Sequence, residues 1–232
     1  MNQYNIFPLG DAAATIDLGN VVDEQVNLKT IALRDWLMLN PFSGLKEVIM
    51  GLSAVTVFYD VATIKKDHPS FPVAFQFVQN ILETAYAASG MKAEIEKEIM
   101  NIPVCYHEDF GTDLRFVSEN KNISIEEIIE LHTSEVYRVY MIGFLPGFSY
   151  LGRVNEKIAL SRKPIPESVE AGSVGIAGTQ TGIYPLNSPG GWHIIGRSPF
   201  LIFDPGKEVP VKMSVGDRVK FFSISKEEMV SQ

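Results

Sequence analysis

Apolar positions in the first ninety residues fall into two helical registers separated by strand-like runs. Leu28, Ile31, Ala32, Trp36 and Leu39 recur at helical spacing. They predict an amphipathic helix that starts after an N-cap at Asp23 and runs to about Leu39, with Pro41 ending it. A second helix is expected to open near Ser70-Phe71-Pro72, bury Val73, Phe77, Val78, Ile81 and Ala85, and close at Gly90. Residues 12–18, 46–50 and 54–59 read as strands, the last rich in Val, Phe and Tyr. Strand, helix, strands, helix, strand is the pattern of a small α/β sandwich, so a ferredoxin-like N-terminal α/β domain is expected within an α+β chain.

The register changes between residues 92 and 104, where Ile95 and Ile99 face one way and Glu94, Glu96 and Glu98 the other. This places a domain boundary near residue 92 and divides the chain into 1–92 and 93–232. Leu114, Phe116 and Val117 predict a short helical piece, and Ser124-Ile125-Glu126-Glu127 has capping-box spacing for a helix reaching about His132. Residues 136–142 return to strand character. From Gly143 to Pro199, glycine or proline recurs every few positions, which leaves no room for a long helix. Short strands at 174–177, 192–195 and 199–203 fit between these breaks, and a Gly216-Asp217 turn leads into a closing strand at 218–222. The expected C-terminal domain is a compact β-barrel with loops gathered at one mouth, followed by a frayed polar end.

Composition narrows the function classes. Hydrophobic residues make up 46% and charged residues 21% of the 232, as in ordinary globular proteins. A formal charge of −8 argues against nucleic acid and against an anionic membrane surface as partners. The single cysteine, Cys105, excludes an internal disulfide framework and fits a reducing compartment. The N-terminus lacks the basic start and apolar core of a signal peptide, and no apolar run approaches the roughly 20 residues needed to span a bilayer. A cytoplasmic location is expected.

None of the common self-contained catalytic motifs is present, and Gly172-Ser173-Val174-Gly175 is not a nucleophile elbow. Donors are available instead. Arg162 and Lys163, with Arg153 and Arg197, either grip a carboxylate or phosphate or stand as solvated loop cations. Gln180 either offers a donor and an acceptor to an amide or ties down its loop. His132, at a helix end, is either a proton carrier or a packed, capping histidine. His107, Glu108 and Asp109 are adjacent, and neighbours in sequence rarely converge on one metal ion, so no metal site is expected. Phe144, Phe148, Tyr150, Tyr184 and Trp192 either line an apolar pocket or fill the barrel. His68 and His193 have no partner visible in the sequence.

GFLPGFSYL at 143–151 and AGSVGIAGTQTGIYPLNSPGGWHIIGRSP at 171–199 closely resemble the family of the 5-oxoprolinase B subunit, KipI and allophanate hydrolase subunit 1, also labelled carboxyltransferase subdomain A/B. Weaker echoes lie at Gly10-Asp11, at residues 102–106 and 110–114, and at His132. The resemblance implies a cyclophilin-like β-barrel for the C-terminal domain. It also implies one component of an ATP-dependent enzyme that hydrolyses 5-oxoproline to L-glutamate, using ATP with Mg2+ in the assembled complex. Partners implied are a C subunit, of carboxyltransferase-C/D-like type, together with a LamB/YcsF-type A subunit. His132, Arg162 and Gln180 are the catalytic candidates, and Phe144, Phe148, Tyr184 and Trp192 the substrate-binding ones. Alternatives within the family are a KipI-like inhibitor that docks on a sensor histidine kinase and an allophanate hydrolase-type subunit; prolyl isomerisation ranks last, because fold does not carry function. The chain departs from the family pattern at Tyr106-His107-Glu108, at Val169-Glu170-Ala171-Gly172 and near Ile165.

Overall fold

A computed structural model describes residues 4–90 and 97–231. The chain divides into two compact units, Met1–Ile95 and Glu96–Gln232. Glu94, Ile95 and Glu96, where the change of register is expected, lie outside the described residues.

The first unit runs β1 (Asn5–Pro8), β2 (Ala13–Asp17), α1 (Glu24–Leu39), β3 (Leu45–Met50), β4 (Ala54–Tyr59), α2 (Val61–Asp67) and α3 (Ala74–Ala88). Its four strands form one antiparallel sheet in the order β1-β2-β4-β3. Alternation in β4 turns Val55, Val57 and Tyr59 to the core, where they meet Ile16, Leu33, Leu37 and Leu82. Asp23 caps α1 as the sequence predicts, its carboxylate accepting from Val26 N–H at 3.0 Å. Two expected core positions are exposed. Leu39, in the last turn of α1, is 81% exposed, and Val73 is the N-cap of α3 and 51% exposed, so that helix begins after Pro72 rather than around it. Edge strand β1 goes beyond the sequence expectation. It ends in Pro8, which an edge tolerates because no neighbour requires its missing N–H.

The second unit contains β5 (Ile99–Cys105), α4 (Leu114–Lys121), α5 (Ile125–Ser134), β6 (Val136–Ile142), β7 (Ser149–Gly152), β8 (Glu167–Val169), β9 (Ser173–Ala177), β10 (Gln180–Ile183), β11 (Ser188–Gly190), β12 (His193–Arg197), β13 (Arg218–Ile224) and α6 (Lys226–Val230). Seven strands close into a barrel in the order β10-β7-β6-β13-β5-β12-β9, and β8 pairs with β11 in a separate ribbon. Strand β13 completes the barrel by pairing parallel to β5 and antiparallel to β6. Ile102, Val139, Leu151, Ile176, Ile183, Val219 and Phe221 fill the interior. Ser124 caps α5 by accepting from Glu127 N–H at 3.1 Å. The expected strand at 199–203 does not form; only Phe203 bridges to Val211. The C-terminal end is not frayed over residues 226–230 either, because Ser225 and Glu228 make a reciprocal capping box.

Candidate functional site

Two glycines prepare the outer face of the barrel. Gly175 and Gly182 face each other across β9 and β10, and Tyr150 of β7 pairs with Gly182 on the other side. A Cβ on Gly182 would stand 2.8 Å from Ser149 O and 3.2 Å from both the Phe148 and Trp192 rings; one on Gly175 would stand 3.0 Å from Trp192 Cβ. The missing side chains leave a shallow floor on which aromatic rings close against backbone. Phe148 is the centre of the cluster, with ring centroids of Tyr150, Tyr184 and Trp192 at 4.8, 5.0 and 5.3 Å. All three contacts are edge-on, the arrangement that ring quadrupoles favour.

This cluster walls a pocket of about 410 Å3 that also takes in Phe144, Arg162 and Gly190. Phe148, Tyr184 and Trp192 are buried and form its wall. Phe144 stands at the rim, 64% exposed, edge-on to Phe148 at 5.7 Å and held at φ +72, a conformation that costs a non-glycine residue energy. Burial pushes the Tyr150 and Tyr184 phenols up, and the Arg162 guanidinium acts against that rise at both. The Trp192 backbone N–H also acts against the rise at Tyr184.

Arg162 and Lys163 differ in commitment. Lys163 Nζ lies 2.8 Å from Asp113 Oδ2 and 2.6 Å from Glu167 Oε2. Burial pulls the ammonium down, but the hydrogen bonds to Asp113 and Glu167 outweigh it and raise its pKa. Arg162 makes no ion pair among the described residues, so it is the cation available to a ligand. A second groove of about 800 Å3 adjoins the pocket through Arg162, Lys163 and Pro164 and is lined further by Phe116 and His193.

His132 lies elsewhere. It is fully buried in the barrel interior, stacked on Phe221 at 4.7 Å, and burial pushes its pKa down to about 3. Its tautomer follows from its neighbours. Thr181 Oγ1 donates to Gly175 O at 3.0 Å and so accepts from His132 Nε2–H at 2.9 Å, which leaves Nδ1 to accept from Tyr106 O–H at 2.7 Å. The result is a satisfied polar chain through an apolar core, and the imidazole stays neutral near pH 7. Gln180 opens β10 outside the pocket lining, with its Nε2 buried and without a hydrogen-bond partner. Arg197 is held by Glu170 at 2.6 Å, Arg153 is exposed, and His107 pairs with Asp109 at 3.4 Å while Glu108 pairs with Arg115. Ser173 is buried in β9, and His68 stacks on Phe77 at 3.9 Å.

Residues 4–213 match the family model for the carboxyltransferase domain, subdomain C and D. The chain belongs to the carboxyltransferase subdomain C and D family. The A/B label that the resemblance implied is therefore corrected to C and D. Among relatives, the 5-oxoprolinase B subunit of Bacillus subtilis (strain 168) is 41% identical over 228 residues, covering 97% of this chain and 95% of that protein. The crystal structure of TTHA0988 superposes with a TM-score of 0.74 at 33% identity over 92% of this chain, which spans only 40% of the length of that solved polypeptide. The K. lactis urea amidolyase structure covers 98% of this chain with a TM-score of 0.81 at 16% identity, a likeness of fold, and this chain spans 15% of it.

The structure thus brings Arg162, Phe144, Phe148, Tyr184 and Trp192 to one pocket and leaves His132 and Gln180 outside it. Sequence reasoning does not single out Asp113 or Glu167, which hold Lys163, or give His193 a partner. The one available signal is Asp113 within the family echo at 110–114.

Proposed function

We propose that this chain is the B subunit of an ATP-dependent 5-oxoprolinase and that its aromatic pocket holds 5-oxoproline. The carrying observation is what lines the pocket: apolar and aromatic walls, one uncommitted guanidinium at Arg162, and no carboxylate, histidine, serine or cysteine. Its two phenols are pushed up by burial, and Lys163 is held charged by its carboxylate partners. Such a site binds a small anionic ring and orients it, but has no group poised near pH 7 to move a proton or attack a carbonyl. The carboxylate of 5-oxoproline would sit on Arg162 in a charge-assisted pair. Its ring would lie against Phe148 and Trp192, with the Tyr150 and Tyr184 hydroxyls in reach of the lactam amide. The name of the B. subtilis relative supports the reading. So does the TTHA0988 chain, in which the same fold is joined to further polypeptide.

The reacting machinery then belongs to other chains. One is the C subunit, of carboxyltransferase type, and a second is the LamB/YcsF-type A subunit. The residues near the pocket do not fit ATP with Mg2+: Asp113 and Glu167, the nearby carboxylates, are both engaged by Lys163. No step through the nucleotide is assigned to this chain. His132 is read as a structural residue, and Gln180, whose Nε2 has no partner, lies outside the pocket lining, so the catalytic set expected from the sequence reduces to Arg162.

The same reading extends to fold and location. In the first unit, β2-α1-β3 followed by β4, with β4 inserted between β2 and β3, is a split β-α-β with β1 as an outer strand, and this order supports a ferredoxin-like reading of the sheet. The second unit is read as a cyclophilin-like barrel, and the protein is placed in the cytoplasm. Among the described residues no helix is long and apolar enough to cross a membrane.

The test is turnover of 5-oxoproline with ATP by the purified chain, alone and mixed with both partner subunits. Activity is expected only in the mixture. Arg162→Ala should raise KM for 5-oxoproline about ten- to hundredfold, the worth of one hydrogen bond to a charged group. No turnover in the full mixture would refute the assignment, and an unchanged KM in the variant would refute the role of Arg162.

A further inference from the structure

We propose that Asp113 and His193 are positioning residues that set the aim of Arg162; the proposal deepens the 5-oxoprolinase reading and rests on it for its kinetic part. Arg162 lies on an exposed loop, where a long side chain on a mobile backbone would hold a carboxylate poorly. Both of its sequence neighbours are anchored. On one side, His193 Nε2–H donates to Ser161 O at 3.0 Å. On the other, Lys163 N–H donates to Gly191 O at 2.8 Å, while its ammonium is clamped by Asp113 and Glu167.

The anchors lead to one place. Asp113 N–H donates to Ile194 O at 2.8 Å, and Asp113 Oδ2 accepts from Ile194 N–H at 2.6 Å. The backbone on both sides of Arg162 is therefore held to one segment, residues 191–194, which contains Trp192 of the pocket wall and leads into β12. Cation and wall share one support. His193 is itself fixed: its ring stacks on Phe116 at 5.0 Å and 10°, and because Nε2 carries the proton, Nδ1 is left as a buried acceptor with no partner. The clamp also has an electrostatic effect. Lys163 offsets one of the two negative charges of Asp113 and Glu167, which weakens their repulsion of an anion approaching Arg162.

A double-mutant cycle in the assembled enzyme separates aim from mere folding. Asp113→Asn keeps an oxygen for Ile194 N–H and removes one of the two charges that hold Lys163, the one that ties it to residues 191–194. It should raise KM for 5-oxoproline about tenfold with kcat within about twofold, and add less than about twofold when Arg162 is already Gln. His193→Leu should raise KM similarly, and His193→Gln, which restores an N–H donor, should recover most of the loss. An equal effect of Asp113→Asn with and without Arg162 would overturn the proposal, since a residue acting through Arg162 has nothing to act on once it is gone. A second readout needs no reaction. Hydrogen exchange at Lys163 N–H in the free chain should quicken in Asp113→Asn and stay at the wild-type rate in Arg162→Gln; unchanged exchange in Asp113→Asn would overturn the bracket. A wild-type mixture that fails to turn over 5-oxoproline would sink the functional reading alone, and the exchange experiment would still decide the bracket.

Discussion

A buried neutral histidine makes the barrel acid-sensitive in a calculable way. His132 has an ordinary pKa of 6.5 when unfolded, and burial pushes it down to about 3 in the barrel. As pH falls below 6.5 the unfolded chain takes up a proton that the folded chain refuses, so stability is lost on acidification and is fully present above 6.5. For one such site the loss is about 1.4 kcal/mol at pH 5.5 and about 2.7 kcal/mol at pH 4.5. His132→Gln removes the titrating group but keeps one donor and one acceptor among Tyr106 and Thr181. It cannot span both partners as the ring does, so a loss of about 1–3 kcal/mol at pH 7.5 is expected from the bond left unmade. Urea unfolding of the wild type and the variant, each carrying Trp36→Phe so that Trp192 alone reports on the barrel, gives the comparison at pH 7.5, 6.5, 5.5 and 4.5. All other titrating groups are common to both proteins and cancel in the difference. The two stabilities should converge by about 1.4 kcal/mol between pH 7.5 and 5.5 and by more at pH 4.5. Parallel pH profiles would refute the account, because they would mean that His132 takes up its proton equally in both states.

Other expectations follow from single positions. Gly190→Ala places a Cβ onto the Tyr184 hydroxyl and 2.7 Å from its Cζ, and Tyr184 cannot retreat because Phe148 packs on it at 5.0 Å. Unfolding followed by Trp192 fluorescence should show a loss of about 1–3 kcal/mol, together with a raised KM for 5-oxoproline in the assembled enzyme. Asp23→Ala removes the side-chain acceptor from the start of α1 and should cost the first unit about 1 kcal/mol, read from its urea midpoint, with no change at the pocket.

The legible parts of the fold are those carried by neighbours in sequence. Asp23 and Ser124 can be read as caps because each side chain meets an N–H three residues on, whatever the rest of the chain does. Ser225 and Glu228 carry the same signal, hidden by the polar residues around them. Leu39 and Val73 mislead for a different reason: helical spacing tells which residues share a face, and the position of the sheet tells where that face ends. The pocket follows a similar division. Glycine and aromatic residues between 143 and 199 announce a turn-rich barrel with a candidate apolar site, and the family likeness supplies the ligand class.

What no local rule can yield is the sorting of alike candidates into different roles. Arg162 and Lys163 are adjacent cations in the sequence; Asp113, far earlier in the chain, engages one and leaves the other available. His132 and His193 are both histidines beside strands; the first is sealed among Tyr106, Thr181 and Phe221, and the second braces the loop that bears Arg162. Periodicity, capping and turn chemistry act over a few residues and survive in the linear text. Charge pairing, desolvation and the choice of tautomer depend on groups far apart along the chain, which only the closed barrel brings within hydrogen-bond reach.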